Sequence, residues 1–588
     1  MSKLTAKHFS NDPVALVNAG LRAATFTNPS LHFDPTHKVV SLRSAASQPT
    51  VALVSGGGSG HEPSFAGFVG EGFLTAAVAG SVFASPSAEQ VFRAVEAIGT
   101  DQPDRGVLVI IMNYTGDMLH FGMAVEKARA AGIKADLLVV GDDVGVGRSR
   151  GGRIGRRGLA GTVLVQKIAG AAAAGGASLE EVRRIAGLAG DNLATVGASL
   201  AHVHVPGRQV TADELGDAIE IGMGIHNEEG FGRVTTTLSG LVETMLKQLL
   251  DQSDKDRAYI QLSPGEEFVA MVNNLGGISV LELGAITAEV VDQLSTTYSL
   301  RPSRLLSGTY MTSLNGLGFS ITLLKVADKS FLSLIDAPAD AAGWSAPVQP
   351  KNWANGIDTS KPEPSQPKAG SETQSSTPSN LQLDAQVAPN KLRAALKSLI
   401  DAEPQVTKYD TVVGDGDCGL CLKTGAEAVL KYLDSPAATA SQSDALRLVR
   451  DIAQVVEQNM DGTSGALYAI FVNSLAAGLQ AAVAGQSPQP ATPQIWAAGL
   501  KAALLSLGKY TPAQPGDRTV IDALVPFVNT LAETLDVKRA VGAATQGCES
   551  TKGMKASLGR SVYVSVEGWN SCPDPGAYGL VKLLEGFV

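Results

Sequence analysis

Residues 50–63 read TVALVSGGGSGHEP, and they carry the clearest signal for the fold of the first half of the chain. Its β-branched and apolar first part is typical of a buried strand, and the glycines that follow predict a tight turn. Residues 106–111, GVLVII, end in a similar turn and also lead into a helical pattern. Strands that alternate with helices in this way indicate an α/β domain with polar turns at the strand ends.

The same arrangement recurs along the first 336 residues. Residues 137–143, LLVVGDD, form another apolar run that ends in polar residues, and strand-like runs return at Glu266–Asn273 and Phe319–Leu324. We therefore predict that residues 1–336 form an α/β domain built of two α/β subdomains.

The pattern changes after residue 336. Residues 337–386 are rich in Pro, Ser, Ala and Lys and lack hydrophobic periodicity. This composition is typical of a flexible linker, here with a reach of roughly 40 Å. In residues 387–588 apolar side chains recur three and four positions apart, so we predict an all-helical second domain. The clearest helical segments are Lys391–Ile400, Ala445–Met460, Gln494–Leu507 and Thr519–Leu535.

Composition and charge narrow the class of protein. A chain of 588 residues with 44% hydrophobic side chains is long enough for more than one core. The net charge of −10 and the lack of any Lys/Arg run argue against nucleic-acid binding. No window reaches the ~18 consecutive apolar residues of a membrane span, and the first residues lack the apolar core of a signal peptide. We expect a cytoplasmic protein that acts on small molecules, with no nucleic-acid or membrane partner.

Cysteine and histidine are unevenly distributed. The cysteines, Cys418, Cys421, Cys548 and Cys572, are too few for a disulfide framework, so we expect reduced thiols. Cys418 and Cys421 have the spacing of a redox or zinc half-site, but no second pair completes it. All 8 histidines precede the linker, so the helical domain must use carboxylates, hydroxyls, basic side chains and metals for any chemistry.

Three carboxylates lie close together in the helical domain, in the sequence DTVVGDGDCG at residues 410–419. Asp410, Asp415 and Asp417 would repel one another without a cation, and Mg²⁺ is the natural partner because it also holds substrate phosphates. A solvated acidic turn and an EF-hand-like calcium loop are the alternatives, although the later Glu of an EF-hand is missing. The turns Gly462–Gly465 and Pro515–Thr519 support a nucleotide site, but either one alone is also consistent with a helix cap.

Three glycine-rich turns of the first domain each carry a side chain that can do chemistry. Residues 54–63 lack the ending of a Walker loop and the spaced glycines of a dinucleotide loop, so a small ligand is a better guest. His61 lies on this turn, Asp117 on NYTGD, and His226 on GMGIHNE. A single such histidine is more often structural, but these side chains on separate turns indicate an active site.

Together these segments resemble the dihydroxyacetone kinase family in its fused, single-chain, ATP-dependent form. The shared motifs follow in order along nearly the whole chain: GGGSGHEP, NYTGD, GRRGLAGT and GIHNE, then GDGDCG, GTSGALY, PGDRT, GRSVYV and DPGA. The resemblance implies an α/β ketone-binding domain and a C-terminal barrel of antiparallel helices that binds ATP at one end. It also implies phosphorylation of dihydroxyacetone, with D-glyceraldehyde as a second substrate.

The resemblance assigns roles to the residues of the first domain. His226 would add to the ketone carbon as a covalent hemiaminal, Asp117 would accept the proton of the reacting hydroxyl, and His61 would assist. Arg156 and Arg157 would be structural ion-pair partners. The substrate pocket implied by the family consists of Gly58, Ser59, Gly60, His61, Met112, Asp117 and His226.

The second domain would bind the nucleotide. In the family's pattern Asp410, Asp415 and Asp417 hold two Mg²⁺ ions against the phosphates of ATP. The implied nucleotide contacts are Cys418, Gly419, Leu420, Cys421, Thr463, Ser464, Thr519, Val520, Arg560, Asp574, Pro575 and Gly576.

The sequence departs from the family's pattern in three places. A Lys that usually donates a hydrogen bond to the substrate is Met112 here, so a change in ketone affinity or specificity is expected. Leu420 and Cys421 replace two Thr, which removes hydroxyls near the phosphates. Asp461 replaces a Gly and adds negative charge there.

Several alternatives stay open at this point. Fused members of the family also split FAD into AMP and cyclic FMN, and a ketone-binding regulator without turnover is a further alternative. A phosphotransferase-dependent form is disfavoured because the two domains are fused and no phosphocarrier domain is present. The family also suggests a homodimer in which the linker carries each helical domain to the partner's ketone site.

Overall fold

A computed structural model describes residues 8–100, 102, 105–208, 215–353, 379, 381–484, 487–558 and 566–588. The chain forms two compact units, Met1–Ser365 and Gln366–Val588. The first unit is α/β and the second is helical, as the sequence predicts. Each unit has hydrophobic cores of its own.

The first of two six-stranded sheets in the first unit contains the strand of residues 50–63. Its strands are β1 Leu31–Asp34, β2 Val39–Leu42, β3 Ala52–Ser59, β4 Ala76–Val82, β5 Val107–Met112 and β6 Ala135–Val140. They lie in the order β1-β2-β4-β3-β5-β6, and the four strands from β4 to β6 in this order are parallel. β3 and β5 are almost entirely buried because helices pack against them, which explains their continuous apolar sequences.

The second sheet is largely antiparallel. Its strands are β7 Leu193–Ser199, β8 Ile219–Ile221, β9 Gly232–Val234, β10 Phe268–Asn274, β11 Arg304–Gly308 and β12 Gly318–Lys325. They lie in the order β11-β10-β12-β7-β8-β9, in which β10 and β11 form the parallel pair. β10 and β12 correspond to the two late strand-like runs of the sequence, so the prediction of two α/β subdomains is confirmed.

Several helices of the first unit begin at a short polar side chain that caps them. These helices are α1 Pro13–Thr27, α2 Ala88–Gly99, α3 Thr115–Ala130, α4 Arg148–Gly151, α5 Thr162–Ala174, α6 Leu179–Asp191, α7 Leu238–Leu250, α8 Val280–Thr296, α9 Phe331–Asp336 and α10 Pro350–Trp353. Ser87, Ser178, Thr237 and Ser279 accept a backbone N–H in the first turns of α2, α6, α7 and α8.

The predicted linker at residues 337–386 is described only in part. Its beginning packs on the first unit, since Ala341 and Trp344 are buried in the core and the Trp344 ring meets Phe73 at 5.5 Å between centroids. Residues 354–378 and 380 lie outside the described residues. The bounds of the linker therefore stay a prediction.

The second unit is a barrel of helices. They are α11 Val387–Val413, α12 Cys418–Leu433, α13 Ala445–Asn459, α14 Gly462–Ala482, α15 Pro493–Leu507, α16 Ile521–Thr534, α17 Val537–Ser550, α18 Val566–Ser571 and α19 Pro575–Glu585. From α11 to α17 each helix packs on the next, and α19 packs on both α17 and α11, which closes the ring. A short parallel pair, β13 Leu381–Gln382 and β14 Gln489–Pro490, is the element that the helical pattern does not predict.

Among the described residues, α14 is the helix that is long and apolar enough to cross a membrane. The core helix of a soluble bundle passes the same test of length and composition. α14 packs against α13 and α15 in the helical barrel, so we read it as part of that barrel.

Candidate active sites

Two histidines that are 165 positions apart in the sequence meet in the first unit. His61 follows β3 and His226 lies on the loop between β8 and β9, and their Nε2 atoms are 3.0 Å apart. His61 is completely buried, whereas 22% of the His226 side chain is exposed. His226 is therefore the member of the pair that a ligand can reach.

The hydrogen-bond partners fix the protons of this pair. His61 Nδ1 donates to the carbonyl of Thr312 at 2.8 Å, and His226 Nδ1 donates to Oε1 of Glu228 at 2.9 Å. Two Nε2 atoms at 3.0 Å need a third proton between them. Burial, reinforced by the charge of His226, lowers the pKa of His61 to about 3, so His61 does not keep the third proton.

Glu228 is the carboxylate that holds the His226 ring in place. Its Oε1 accepts from the ring, and its Oε2 accepts the backbone N–H of His226 at 2.9 Å. Burial alone would raise the pKa of Glu228, but the hydrogen bonds and charge of His226 lower it to about 2. The carboxylate therefore stays ionised and holds the imidazole in one orientation.

Two aromatic rings pack against the histidine pair. Phe83 stacks on His61 with 5.3 Å between centroids, and Tyr114 meets His226 edge-on at 4.8 Å. The Tyr114 hydroxyl donates to the carbonyl of Gly158 at 3.0 Å, which fixes the Tyr114 ring. The aromatic contacts restrict the rotation of both imidazoles.

Asp117, in the first turn of α3, lies at the same site. It is 4% exposed, and its Oδ1 accepts no hydrogen bond from the described part of the chain. Burial raises the pKa of Asp117 to about 6, although a hydrogen bond with Ser85 and the charge of His226 oppose this rise. A carboxylate with a free oxygen and a pKa near neutrality suits a general base.

The glycine-rich turn after β3 lets the backbone approach the histidine pair. Gly60 has a φ of +105°, and a Cβ there would lie 2.8 Å from the Phe83 ring. A Cβ on Gly58 would meet the backbone of the next loop at 2.7 Å, so both positions require glycine. The hydroxyl of Ser59 donates to the carbonyl of Gly80 at 2.9 Å and thereby ties the turn to β4.

The predicted arginines differ in their partners. Arg157 forms an ion pair with the buried Asp143 at 2.6 Å, and its Nη2 donates to the carbonyl of Gly222 at 2.7 Å. Arg156 donates instead to the carbonyl of Leu193 at 2.8 Å. Arg157 thus braces the start of the loop that carries His226.

The three predicted metal ligands converge in the second unit. Carboxylate oxygens of Asp410, Asp415 and Asp417 all lie within 4.8 Å of one another. Asp410 is buried at the end of α11, where its Oδ2 accepts the N–H of Cys418 at 3.0 Å, and the other two carboxylates are exposed. This oxygen-rich and partly open cluster fits Mg²⁺, which combines a few carboxylates with water and phosphate.

The predicted nucleotide contacts lie in the first turns of four helices or just before them. They are Cys418, Gly419, Leu420 and Cys421 at α12, Thr463 and Ser464 at α14, Thr519 and Val520 at α16, and Asp574, Pro575 and Gly576 at α19. Cys418 Sγ lies 3.7 Å from Ser464 Oγ, and Cys421 Sγ donates to the carbonyl of Asp461 at 3.1 Å. Helix N-termini attract phosphates through their partial positive charge and free N–H groups.

α19 is connected to this site through its cap. Asp574 accepts the N–H of Ala577 at 2.8 Å, and a Cβ on Gly576 would lie 3.6 Å from Val520. Burial raises the pKa of Asp574 to about 6, and the nearby charge of Asp410 adds to this rise. The cap of α19 is therefore within electrostatic range of the acidic cluster. Arg560 lies outside the described residues.

Comparison with known proteins identifies the family. The chain matches the Dak1 domain over residues 22–343 and the DAK2 domain over residues 412–588. It is 44% identical to the dihydroxyacetone kinase of Pichia angusta, over 100% of this chain and 98% of that protein. The chain belongs to the dihydroxyacetone kinase family.

Two further relatives of this dihydroxyacetone kinase family member bear on its chemistry. The triokinase/FMN cyclase of Bos taurus is 36% identical over 100% of this chain and 99% of that protein. The solved structure of the dihydroxyacetone kinase from C. freundii in complex with AMP-PNP and Mg²⁺ matches with a TM-score of 0.62 and 31% identity, and 99% of each chain is covered. This match confirms the predicted α/β unit and helical barrel.

The departures from the pattern of the dihydroxyacetone kinase family lie in different environments. Met112 ends β5 and is 1% exposed. It packs so closely on Gly158 that a Cβ added to this glycine would lie 2.5 Å from the Cβ of Met112. Met112 therefore acts through packing in the core. Leu420 is 60% exposed at the start of α12, and Asp461 is exposed just before α14, where both face solvent.

Four residues that contact the histidine pair have no role predicted from the sequence, namely Phe83, Tyr114, Glu228 and Thr312. Glu228 carries a usable signal, because an acid two positions after a histidine can bend back onto the ring. Thr312 carries none, since it is 251 positions from His61 and contributes only a carbonyl.

Replacing Glu228 by glutamine tests the ion pair with His226. A hydrogen bond to a charged group contributes about 1.5–3 kcal/mol, so we expect ketone-dependent turnover to fall roughly 10- to 100-fold. Initial rates over a pH series measure the effect. Glu229→Gln is the matched control, because the Glu229 side chain is 85% exposed, and equal rates in both variants would contradict the ion-pair role.

Proposed function

We propose that this chain transfers the γ-phosphoryl group of ATP to dihydroxyacetone while His226 holds the ketone as a covalent hemiaminal. The observation that carries the proposal is the contact between His61 and His226, backed by Glu228. The name of the Pichia angusta relative and the AMP-PNP complex of the C. freundii enzyme support a kinase. Glycerol has no carbonyl and would not be captured.

The capture step uses the proton that the two histidines share. His61 takes the proton from Nε2 of His226, and that nitrogen attacks the ketone carbon. A C–N bond forms, the C=O π bond breaks, and His61 delivers the proton to the former carbonyl oxygen. The substituted ring keeps its positive charge and its Nδ1–H, which remains paired with Glu228. The low pKa of His61 favours return of the proton and leaves His61 neutral again.

The transfer step uses Asp117. Its free Oδ1 accepts the proton of a terminal hydroxyl, and the hydroxyl oxygen attacks the γ-phosphorus of ATP while the bond to ADP breaks. The covalent bond to His226 holds that hydroxyl in place, which removes much of the entropic cost of the encounter.

Asp410, Asp415 and Asp417 would hold Mg²⁺, and we propose two ions in this cluster. Magnesium bound there would neutralise charge on the ATP phosphates during transfer. The N-terminal turns of α12, α14 and α19 would donate N–H groups to those phosphates.

The pH dependence of turnover tests Asp117 as the base. The carboxylate works only when it is deprotonated, so the rate should fall as the pH drops below its pKa of about 6. Asp117→Asn should lower the rate by about 10²–10⁴-fold and abolish this acidic limb. Asp191→Asn, at the exposed end of α6, is the control. An acidic limb that persists unchanged in Asp117→Asn would contradict this role.

D-glyceraldehyde is a second substrate in this proposal, because the carbonyl of an aldehyde can accept the same imidazole nitrogen. The Bos taurus relative is a triokinase/FMN cyclase, which supports this choice. We also infer a homodimer and a cytoplasmic location. Light scattering of the purified chain measures the mass of the assembly.

FMN cyclase activity is the second candidate function, favoured by the name of the same relative. Mass spectrometry of the products separates the two activities. With Mg-ATP and dihydroxyacetone, dihydroxyacetone phosphate and ADP support the kinase. With FAD and a divalent cation, AMP and cyclic FMN would show the second activity. Ketone binding without either set of products would favour a regulator.

A further inference from the structure

Three of the 8 histidines line a single cavity that is separate from the two sites described above. The cavity has a volume of about 320 Å³, and its lining includes His8, His202 and His204 together with Asn315 and Leu317. We propose that these three histidines bind one divalent transition-metal ion of the Zn²⁺ type. Neither the proposed kinase reaction nor the second candidate function uses them.

His8 has one ring nitrogen engaged in a hydrogen bond and the other available to a metal. His8 Nε2 lies 3.2 Å from the carbonyl of His204, to which it donates, so Nδ1 of His8 is left as a ligand. His202 Nε2 lies 3.6 Å from Oε2 of Glu220, an ion-pair distance that is too long for a hydrogen bond. Neutral imidazole nitrogens are the preferred ligands of Zn²⁺, Ni²⁺ and Cu²⁺.

Glu220 has the position of an outer carboxylate behind a metal-binding histidine. It is 1% exposed, its Oε1 accepts the N–H of Gly230 at 2.7 Å, and its Oε2 faces both His202 and Arg233. Carboxylates in this position orient the ring and increase its basicity, and their loss lowers metal affinity about 10- to 100-fold.

The backbone presents the two neighbouring histidines on the same side. His202 and His204 flank Val203, which is buried, so the three residues alternate as in an extended segment. Asn227 fixes this segment: its Oδ1 accepts the N–H of Val203 at 3.0 Å and its Nδ2 donates to the Val203 carbonyl at 2.8 Å. The hydrogen bonds of Asn227 therefore fix the backbone from which the side chains of His202 and His204 project.

Metal binding requires a rearrangement of side chains. Among the described residues, Asp410, Asp415 and Asp417 are the group whose ligand atoms already converge, so the three imidazoles must turn inward. All three are partly exposed and line open space, which permits this rotation. Three histidines leave the fourth position of a tetrahedral ion to water.

The test is a calorimetric titration of the full chain with ZnCl₂ in a buffer that contains excess Mg²⁺, followed by the visible spectrum of the Co²⁺ form. We expect the parent chain to bind one equivalent of Zn²⁺ and the double variant His202→Ala/His204→Ala to bind none. The Glu220→Gln variant should bind this ion at least about tenfold more weakly. The Co²⁺ form should show the intense absorption of a tetrahedral site. His32→Ala, on the exposed side of β1, is the control.

Two outcomes would overturn the proposal. One is unchanged Zn²⁺ affinity in the His202→Ala/His204→Ala variant, and the other is loss of the equivalent in His226→Ala, which would place the ion at the ketone site. Circular dichroism checks that each variant is folded. Kinase turnover is read separately, so failure of the metal site and failure of the proposed function are distinguishable.

Discussion

Replacing His226 by alanine is expected to lower dihydroxyacetone-dependent ATP turnover by roughly 10³-fold or more, because the reacting hydroxyl loses its covalent tether. His226 offers the reachable nitrogen of the site, while the buried His61 is held by the carbonyl of Thr312 and cannot replace it. The rate is measured as ADP release at saturating Mg-ATP. Any ATP hydrolysis that remains should be independent of the ketone.

Two comparisons make the His226 experiment specific. His32→Ala removes an exposed histidine from the same unit and should leave the rate unchanged. The affinity of His226→Ala for ATP should also be unchanged, because the predicted nucleotide contacts lie on the helical barrel. Turnover of the variant within tenfold of the parent chain would show that the hemiaminal is not required.

Asp415→Asn is expected to lower the same turnover by about 10²–10³-fold, because metal stabilisation of transferring phosphoryl groups contributes several kcal/mol. Asp415 is exposed and is one of three carboxylates within 4.8 Å, so losing its charge weakens the cluster without opening the core. Raising the Mg²⁺ concentration should restore part of the rate.

The matched control for Asp415→Asn is Asp401→Asn, which removes an exposed carboxylate from the same helix that carries Asp410. Both variants should still capture the ketone, because His226 belongs to the first unit and Asp401 and Asp415 belong to the second. If Asp415→Asn had a normal rate and a normal Mg²⁺ requirement, this result would contradict the proposed role of Asp415 as a metal ligand.

Much of the fold is readable from the sequence because its signals are local. The apolar runs around β3, β5 and β10 predict buried strands, and the three- and four-residue spacing after the linker predicts the helical barrel. The strand pair of β13 and β14 is too short to leave such a pattern.

The candidate site is readable only in part, because its contacts join distant segments. Sequence motifs select His61, Asp117 and His226, but they do not show that the two Nε2 atoms share a proton. That conclusion needs the carbonyl of Thr312 and the carboxylate of Glu228 in their places. Similarly, the change at Met112 suggests a lost substrate contact, whereas the structure places its side chain in the core.

The most direct measurement is the initial rate of ADP release with Mg-ATP and dihydroxyacetone, beside an equal concentration of glycerol. Our expectation is turnover with the ketone and only background ATP hydrolysis with glycerol, because His226 needs a carbonyl to capture its substrate. Equal rates with both compounds, or no turnover by a folded, ATP-binding chain, would contradict it.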